Sequence, residues 1–499
     1  MKFNFKKLRI CLLLILTITA SSCKKYLDEE RRDNFNTGNY FTTASQAKTF
    51  VNGIYANLYM FQNGDAYGES PFITLELFAG HTTTLGQSVN NKQVINQSTS
   101  PTNPGFETVW SNSYAAIANA NVALKRIPEI TMPDADKKKL LGEVYFLRAF
   151  FYYHLVRLYG DVPLITEPVT ITSETLYPER SPVAAVYDLI VADLKAAKDS
   201  GMPETDQTGR ASIGAVRTLL GSVYLTMAGY PLKKIENYAL AAAEVLPVLS
   251  DYTLFDKYDY LHDNAHKNQG ELIFQINYLV GIKENAIPQL TLPFNLQVGS
   301  YGDHLGAMIP TDEFVASYPA GDLRTEERQF YFSSYPKDKD PGTIIQFGEH
   351  ALYKYFHVES ALGNGKSDEN WTLLRLPEAM LIYAEAQNEA DGSPNSTSRD
   401  AINAIRNRAH LAPIGALSQS AFREEVWQQR YHELAYENKA YFDMQRTHKR
   451  YDVATHSFPD ATTGKNEQDV TFKEQYYLWP IPQREMNTNP KLTQNPGWQ

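Results

Sequence analysis

Residues 140–160 have the sequence LLGEVYFLRAFFYYHLVRLYG, and this stretch decides the fold of the chain. Apolar and aromatic residues recur in it at steps of three and four, which places them on one face of an α-helix. A second apolar stripe makes the helix apolar nearly all round, so it must be covered on two sides. Asp134 or Asp136 can cap its start, and Gly160 followed by Pro163 ends it. The stretch therefore predicts the middle layer of a stack of helices.

Further helical patterns lie on both sides of this stretch. Helices are predicted at residues 45–60, 106–127, 181–198, 212–230, 235–249, 377–390, 398–410 and 422–445. Helix pairs of about 35 to 45 residues resemble tetratricopeptide-type units, although the sequence similarity between successive pairs is weak. The predicted fold class is mainly α, a tetratricopeptide-like array of helical hairpins with an irregular, loop-rich lobe containing short strands.

Two stretches lack helical periodicity. Residues 62–105 are rich in Gly, Asn, Thr, Ser and Pro, and we interpret them as one long loop, a length that usually carries a function. Residues 251–370 hold two segments with strand-like β-branched and aromatic content, 271–280 and 343–347, among Gly, Pro and Asn residues. The irregular lobe is therefore predicted at about 251–370.

The first 22 residues are typical of an export signal. Residues 10–20 form an apolar run of about eleven residues, too short to span a bilayer. Ala20, Ser21 and Ser22 then precede Cys23, and small residues before a cysteine predict lipoprotein processing, with Cys23 carrying acyl chains such as palmitate. Each buried CH₂ contributes roughly 0.8 kcal/mol, so several acyl chains would hold the protein at a membrane. An ordinary cleaved signal with an incidental cysteine is the alternative.

The charge of the chain argues against nucleic acid as a partner. The net charge is −10, and removal of the first 22 residues, which contain four basic residues and no acids, makes it −14. A protein that binds nucleic acid needs a basic patch. Cys11 leaves with the signal, so the remaining chain has one cysteine and no internal disulfide. The 32 Tyr and 24 Phe residues indicate aromatic helix packing, with a minority available as a ligand platform.

The sequence contains no HExxH motif, no GxSxG motif, no Walker loop and no cysteine pair for zinc. Glu385 and Glu389 are one helical turn apart, and a carboxylate pair could indicate glycoside hydrolase chemistry. Because Arg406 and Arg408 lie on the next predicted helix, we favour a structural ion-pair network between adjacent helices.

His432, Glu433 and Glu437 share one predicted helix, but a second histidine at metal-ligand spacing is missing. Ion pairs with Arg430 or Lys439 are the favoured interpretation of these acids. We therefore expect no enzyme activity, no cofactor and no metal site.

Seven stretches follow one another in a recognisable order. They are CKKYLDEE at 23–30, GEVYFLRAFFYYHLVRLYGDVPLI at 142–165, GRASIGAVRTLLGSVYL at 209–225, RLPEAMLIYAEAQNE at 375–389, AINAIRNRA at 401–409, ELAYENKAYFDMQR at 433–446 and PIPQREMNTNPKLTQNPGW at 480–498. Together they resemble the SusD/RagB family of outer-membrane nutrient-binding lipoproteins. Asn438 and Ala440 stand where that family usually has Gly and Arg, and Trp498 replaces a usual Tyr.

The resemblance implies a tetratricopeptide-like helical array with an irregular lobe packed on it. It divides the chain into a lipoprotein signal (1–22), a SusD-like N-terminal region (23–230) that includes the ligand-side loop 62–105, and a C-terminal region (231–499). Similar proteins lie on the cell surface, anchored by lipid, and close over a SusC-like TonB-dependent β-barrel transporter. They capture oligosaccharides, or peptides in some members, and are not enzymes.

In this family, loops of the irregular lobe build the ligand surface, and the matching regions here are 62–105 and 278–304. Sugars present C–H faces and hydroxyl edges, so a binder needs aromatic rings with polar groups at their rims. The predicted ligand contacts are Tyr67, Phe78, His81, Asn91, Tyr301, Asp303 and His304. Each aromatic residue could instead pack its own loop. A helical-repeat scaffold for outer-membrane assembly and a lipid-anchored glycoside hydrolase are the alternative functions.

Overall fold

The computed structural model describes residues 41–61, 70–86, 88–170, 172–173, 176–293, 298, 305–466 and 469–498. Within these residues the protein is mainly α-helical, as predicted. The helices are α1 (Ala44–Tyr55), α2 (Pro71–Ala79), α3 (Val89–Ile95), α4 (Pro104–Arg126), α5 (Asp134–Tyr159), α6 (Val183–Lys198), α7 (Ile213–Ala228), α8 (Asn237–Val245), α9 (Val248–Asp251), α10 (Ile287–Thr291), α11 (Asp312–Ala316), α12 (Val358–Leu362), α13 (Leu376–Asp391), α14 (Ser396–Arg408), α15 (Gln419–Glu433), α16 (Ala440–Thr447) and α17 (Gln483–Thr488). The strands are β1 (Thr82–Thr83), β2 (Leu272–Ile276), β3 (Ile309–Pro310), β4 (Tyr331–Lys337), β5 (Asp340–Leu352) and β6 (Trp371–Arg375).

Helix α5 is the covered middle helix that its sequence predicts. It packs against both α4 and α6, and Phe146 is in edge-on contact with Phe274 of β2 at 5.0 Å between ring centroids. The helix ends where predicted, because Gly160 adopts a positive φ of 72° and its N–H donates to the carbonyl of Val156 at 3.0 Å. The predicted acidic cap is wrong. The N-cap is Pro133, and both candidate aspartates lie inside the first turn, where they face the positive end of the helix dipole.

Arg148 joins α5 to its two neighbours. Its guanidinium donates to both carboxylate oxygens of Asp193 on α6, at 2.8 and 2.7 Å, and to Oδ1 of Asn121 on α4 at 2.8 Å. All three side chains are buried. A bidentate, charge-assisted contact of this kind fixes the relative register of the three helices.

The array continues through the second half of the chain. Helix α6 packs on α7, α7 on α8, and α8 on α13, which also contacts α14 and α15. The single helix predicted at 422–445 is wrong, because the chain forms α15 and α16 with a break between them. Tyr436 and Asn438 lie in this break with φ of 63° and 59°, a left-handed conformation that an α-helix does not contain.

The prediction of one long loop at 62–105 is also wrong, because α2 and α3 lie within it. Every residue of α2 is buried, and the helix is bracketed by Pro71 at its start and by Gly80, with φ of 84°, at its end. The many Gly, Asn and Thr residues around this nine-residue apolar helix hid its signal.

The irregular lobe is held together by short antiparallel pairs. Strand β2 pairs with β6, β1 with β3, and β4 with β5. Strand β2 lies within the predicted segment 271–280, and β5 includes the predicted segment 343–347. Because β6 leads directly into α13, this pairing attaches the lobe to the helical array.

The last described residues return to the end of α5. The N–H of Trp479 donates to the carbonyl of Leu158 at 2.6 Å, and Nδ2 of Asn495 donates to the carbonyl of Tyr159 at 3.0 Å. These bonds satisfy carbonyls that the helix end leaves without an intrahelical partner. Trp498 is buried nearby, and its Nε1 donates to the carbonyl of Leu478 at 2.9 Å.

A buried network of four acids and four bases joins the lobe to the helices. Its members are Glu271, Asp322, Arg324, Lys354, Arg375, Arg408, Glu433 and Glu437, and none is more than 6% exposed. Arg375 is the centre of the network: it pairs with Glu271 at 3.0 Å, with Glu433 at 2.7 Å and with Glu437 at 2.8 Å.

The predicted partners of Glu433 and Glu437 are therefore wrong. Arg430 instead pairs with Asp443 at 3.0 Å, and Lys439 pairs with Glu378 at 2.8 Å. The acids point inward to bases that come from distant parts of the chain, which helical spacing cannot reveal.

Replacing Arg375 with Met tests the network. The Arg375→Met variant leaves buried carboxylates without their shared cation, so we expect the free energy of unfolding to fall by about 3 to 5 kcal/mol. Arg484→Met is the matched control, because Arg484 is largely exposed and its ion pair is with the surface residue Glu107. Urea denaturation of both variants measures the effect, and equal midpoints for the two would contradict the role of Arg375.

The network also predicts a pH dependence. Burial raises the pKa of Glu437, but Arg375 and Lys354 outweigh this and lower it to about 2. A carboxyl with a lowered pKa in the folded state contributes stability above its ordinary pKa near 4.5, and that contribution is lost as the pH falls towards 2. The stability difference between the protein and its Glu437→Gln variant should therefore shrink from pH 6 to pH 3. The exposed Glu167 provides the control, since Glu167→Gln should show a small difference at both pH values.

Candidate functional site

Several predicted functional residues lie outside the described residues. These are the predicted lipidation site Cys23 and the predicted ligand contacts Tyr67, Tyr301, Asp303 and His304. Their predicted roles remain predictions. The other three predicted contacts, Phe78, His81 and Asn91, are described.

Phe78 lies in an aromatic cluster beneath the surface. It is 4% exposed, and its ring stacks on that of Tyr441 at 5.3 Å between centroids. The rings of Tyr476 and Trp479 lie at 5.5 and 6.4 Å. In this structure Phe78 packs α2 against α16 and the tail, so its ring presents no open face to a ligand.

His81 follows α2 and is almost fully buried. Its Nε2 lies 2.9 Å from a carboxylate oxygen of Glu76, and both side chains are 1% exposed. The other oxygen of Glu76 accepts hydrogen bonds from the backbone N–H of Asn438 at 2.6 Å and from its Nδ2 at 2.9 Å. Nδ1 of His81 lies 3.2 Å from the hydroxyl of Tyr431. His81 therefore anchors the segment after α2 to the break between α15 and α16.

Asn438 stands where the SusD/RagB family usually has Gly, and its local geometry accounts for this difference. Its φ of 59° is in the left-handed region, which Gly adopts freely and Asn tolerates better than most residues. The side chain also donates to the carbonyl of Phe72 at 2.8 Å. Asn thus keeps the backbone geometry and adds hydrogen bonds to α2.

Asn91 lies in α3 and is 2% exposed. The backbone N–H of Asn91 donates to the hydroxyl of Ser88 at 3.1 Å, and Ser88 thereby caps the helix. Like Phe78 and His81, Asn91 is placed under the surface that the sequence indicated as the ligand side.

A cavity of about 330 Å³ lies beside this region. Its lining residues are Gly80, Thr311, Glu313, Arg450, Tyr451, Asp452, Val453, Ala454, Pro459, Asp460, Gly464, Lys465 and Asn466. We name it the lobe cavity. A guanidinium nitrogen of Arg450 donates to the carbonyl of Gly80 at 3.3 Å, and Nδ2 of Asn466 donates to the carbonyl of Ile95 at 2.8 Å. These bonds hold segment 448–466 against the segment that contains α2 and α3.

The lobe cavity is lined mainly by polar groups. Glu313 and Lys465 are exposed at its edge, while Tyr451 is buried, with its ring 4.9 Å from that of Tyr431. Burial lowers the pKa of Arg450, and among the described residues no carboxylate forms an ion pair with it. Carboxylates, a guanidinium and an ammonium group together supply donors and acceptors for hydroxyl groups.

Sequence reasoning missed this segment. Residues 448–466 read HKRYDVATHSFPDATTGKN, a run dense in Asp, Thr, His and Lys that follows a helix. This polar run in a loop is the signal that could have indicated a functional segment, because functional residues concentrate on loops. Its partner segment near residue 80 lies more than 350 residues earlier in the chain, as the pairing of Arg450 with Gly80 shows.

The two acids considered for hydrolase chemistry are paired with arginines. Glu385 accepts hydrogen bonds from the guanidinium of Arg446 at 2.5 and 2.7 Å, and Glu389 pairs with Arg423. The favoured interpretation as ion pairs between helices is therefore confirmed, but the expected partners are wrong. Arg406 pairs with Glu425 instead, and Arg408 pairs with Glu271 and Glu433. No group of three or more His, Cys, Asp and Glu side chains that could hold a metal occurs among the described residues. In the same part of the chain, no helix is both long and apolar enough to cross a membrane.

Comparison with known proteins identifies the family. The model of the SusD family matches residues 293–498, and a model described as starch-binding associating with outer membrane matches residues 25–225. A crystal structure of a SusD superfamily protein from Parabacteroides distasonis is 38% identical, covers 91% of this chain and 99% of its own, and superposes with a TM-score of 0.87. The chain belongs to the SusD family.

Other SusD relatives match over nearly their full length. SusD-like protein P2 of Formosa agariphila is 28% identical over an alignment of 530 positions that covers 99% of this chain and all of that protein. A structure described as a laminarin-binding SusD-like protein is 22% identical, covers 91% of this chain and all of its own, and has a TM-score of 0.75. This last similarity shows the fold alone.

The left-handed conformation of Asn438 can be tested with two variants. Asn438→Ala and Asn438→Gly both lose the side-chain hydrogen bonds to Glu76 and Phe72, so their difference isolates the backbone. We expect the Gly variant to be more stable by about 1 kcal/mol, since a Cβ is disfavoured at this φ. Chemical denaturation measures the difference. An Ala variant as stable as the Gly variant would show that this backbone conformation costs nothing.

Proposed function

We propose that this SusD-family protein is a non-catalytic cell-surface lipoprotein that binds oligosaccharides and delivers them to a TonB-dependent outer-membrane transporter. The observation that carries the proposal is the near full-length match to a SusD-superfamily structure at 38% identity. Two other matches support glycans as the ligand: the family description as starch-binding, and a structural neighbour described as laminarin-binding.

The lobe cavity is the described part of the proposed glycan site. It combines exposed charged groups at its edge with the guanidinium of Arg450, and these groups suit the hydroxyl edges of a sugar. It lies next to the segment with α2 and α3 that the sequence indicates as the ligand side. Tyr67, Tyr301, Asp303 and His304 remain further contacts that the sequence predicts.

Anchoring through Cys23 completes the proposal. The basic, apolar and small-residue pattern of residues 1–22 supports lipid attachment, and the family description supports association with the outer membrane. A SusC-like transporter beneath the protein is the proposed receiver of the glycan. The buried pairing of Glu385 with Arg446 supports a role without catalysis, because that carboxylate is already neutralised.

Isothermal titration calorimetry against starch-derived and laminarin-derived oligosaccharides tests the proposal. We expect dissociation constants between about 1 mM and 1 µM and no release of shorter sugars. A Glu313→Ala/Lys465→Ala double variant should bind about ten-fold more weakly, because hydrogen bonds to charged groups contribute about 1.5 kcal/mol or more. The double variant Lys125→Ala/Glu167→Ala removes an equally charged, exposed pair elsewhere and should bind normally.

The possible outcomes separate the function from the site. Peptide binding with no response to any glycan would contradict oligosaccharides as the ligand. Sugar turnover would contradict the non-catalytic role. Normal glycan binding by the Glu313/Lys465 double variant would keep the function but exclude the lobe cavity.

A further inference from the structure

A second, larger cavity of about 840 Å³ lies on the helical array. Its walls come from the ends of α5, α7 and α16, from the start of α6 and from the tail at 473–497. We name it the array cavity. Its volume falls within the range of small-molecule sites. Asp161, Lys473 and Glu474 line it and are exposed, so the cavity opens to solvent.

One wall of the array cavity is a stack of three parallel rings. The imidazole of His448 lies between the rings of Tyr230 and Tyr477, at 3.5 and 4.1 Å between centroids and with interplanar angles of 9° and 7°. Lys233 covers the outer face of Tyr230 at 3.8 Å. The backbone of His448 is in the left-handed region, with φ of 56°. The result is a rigid aromatic wall whose edges face the cavity.

Arg157 lines the same cavity and is held between two other rings. Its guanidinium carbon lies 3.7 Å from the centroid of Tyr153 and 3.5 Å from that of Phe442. Nε donates to the carbonyl of Tyr153 at 3.1 Å. The two rings fix the plane of the Arg157 guanidinium, so no anion is needed to hold it in position.

No carboxylate forms an ion pair with Arg157 within the described residues, although Glu378 and Asp443 favour its charge from a greater distance. This sets Arg157 apart from its neighbours. Arg148, nine positions earlier on the same helix, is paired with Asp193, and Arg446, which also lines the cavity, is paired with Glu385 and Asp443. Burial lowers the pKa of Arg157, so the protein bears a cost for keeping this cation here. A planar guanidinium with free donors matches the geometry of a carboxylate.

A second arginine adds positive charge to the wall. Arg180 donates to the backbone carbonyls of Asp161, Tyr159 and Thr493 at 2.7, 3.0 and 2.8 Å. It also donates to Oδ1 of Asn495 at 2.5 Å. These acceptors carry no formal charge, so they position Arg180 without cancelling its field. Two acids, Asp161 and Glu474, also line the cavity and are exposed to solvent, and Asp161 partly offsets the charge of Arg180.

We propose that the array cavity is a binding site for a small organic carboxylate. The carboxylate forms paired hydrogen bonds with Arg157, and the body of the ligand lies along the edges of the Tyr230–His448–Tyr477 stack. Two sources share this chemistry, an acidic sugar such as a uronic acid and the terminal carboxylate of a short peptide. The site belongs to the helical array, so the proposal is independent of glycan binding in the lobe cavity.

Two pairs of probes test this proposal by calorimetry on the full chain, each pair an acid and an analogue with a neutral group in place of the carboxylate. The first pair is glucuronate and glucose, and the second is acetyl-dialanine and its C-terminal amide. We expect the acid of one pair to bind at least ten-fold more tightly than its neutral partner, and the pair that responds identifies the source. Arg157→Gln should abolish this preference, and Arg157→Lys should restore only part of it because lysine lacks the planar pair of donors.

Two further variants keep the test decisive. Arg484→Gln removes an exposed arginine that does not line the cavity and should leave the preference unchanged. If Arg157→Gln does not fold cooperatively, Tyr477→Ala replaces it, and loss of one ring from the wall should weaken the acid at least three-fold. Equal binding of acid and neutral probes in both pairs would overturn the proposal. So would a preference for the acid that survives in a folded Arg157→Gln variant.

Discussion

The buried network around Arg375 is the interaction on which the rest of the structure depends. Eight charges out of contact with water are tolerated only because each acid meets a base at short range. Glu271, Asp322, Arg324 and Lys354 come from the irregular lobe. Arg375 ends β6, and Arg408, Glu433 and Glu437 come from α14, α15 and the break after α15. The lobe can therefore dock in one position, the one in which all these pairs form.

The network extends to the candidate site through adjacent residues. Glu437, whose pKa is held low by Arg375 and Lys354, precedes Asn438, which bonds to Glu76, which in turn contacts His81. One residue before His81, the carbonyl of Gly80 accepts the hydrogen bond from Arg450 in the lobe cavity. The same charges that dock the lobe thus position the walls of the proposed glycan site.

Periodicity predicted the parts of the fold that depend on local sequence. The apolar character of α5 on all sides could only mean a covered helix, and its end at Gly160 follows from the backbone freedom of glycine. Periodicity gave wrong predictions where a few residues adopt a conformation that differs from that of their neighbours in the sequence. The left-handed Tyr436 and Asn438 interrupt a pattern that otherwise continues from α15 into α16, and the short α2 is surrounded by turn residues. Both errors come from conformations set by tertiary contacts rather than by propensity.

The candidate sites were less predictable, because burial and pairing are properties of the folded chain. Phe78 and His81 looked like loop residues in the sequence but lie beneath the surface once α2 packs. The segment that lines the lobe cavity lies far along the chain from its partner near residue 80. Arg148 and Arg157 are the same residue type on one helix, yet within the described part of the chain only Arg148 forms an ion pair with a carboxylate. That difference is visible only in three dimensions.

Because the tail donates hydrogen bonds to the last carbonyls of α5, the native fold can be completed only after the tail has been synthesised. The carbonyl of Tyr159 receives its bond from Asn495, 336 residues later, and that of Leu158 waits for Trp479. During synthesis the central helix emerges early, but the carbonyls at its end stay without these partners until residues 479–495 have also left the ribosome. Completion of the native fold therefore waits for a segment made 336 residues after the end of the helix.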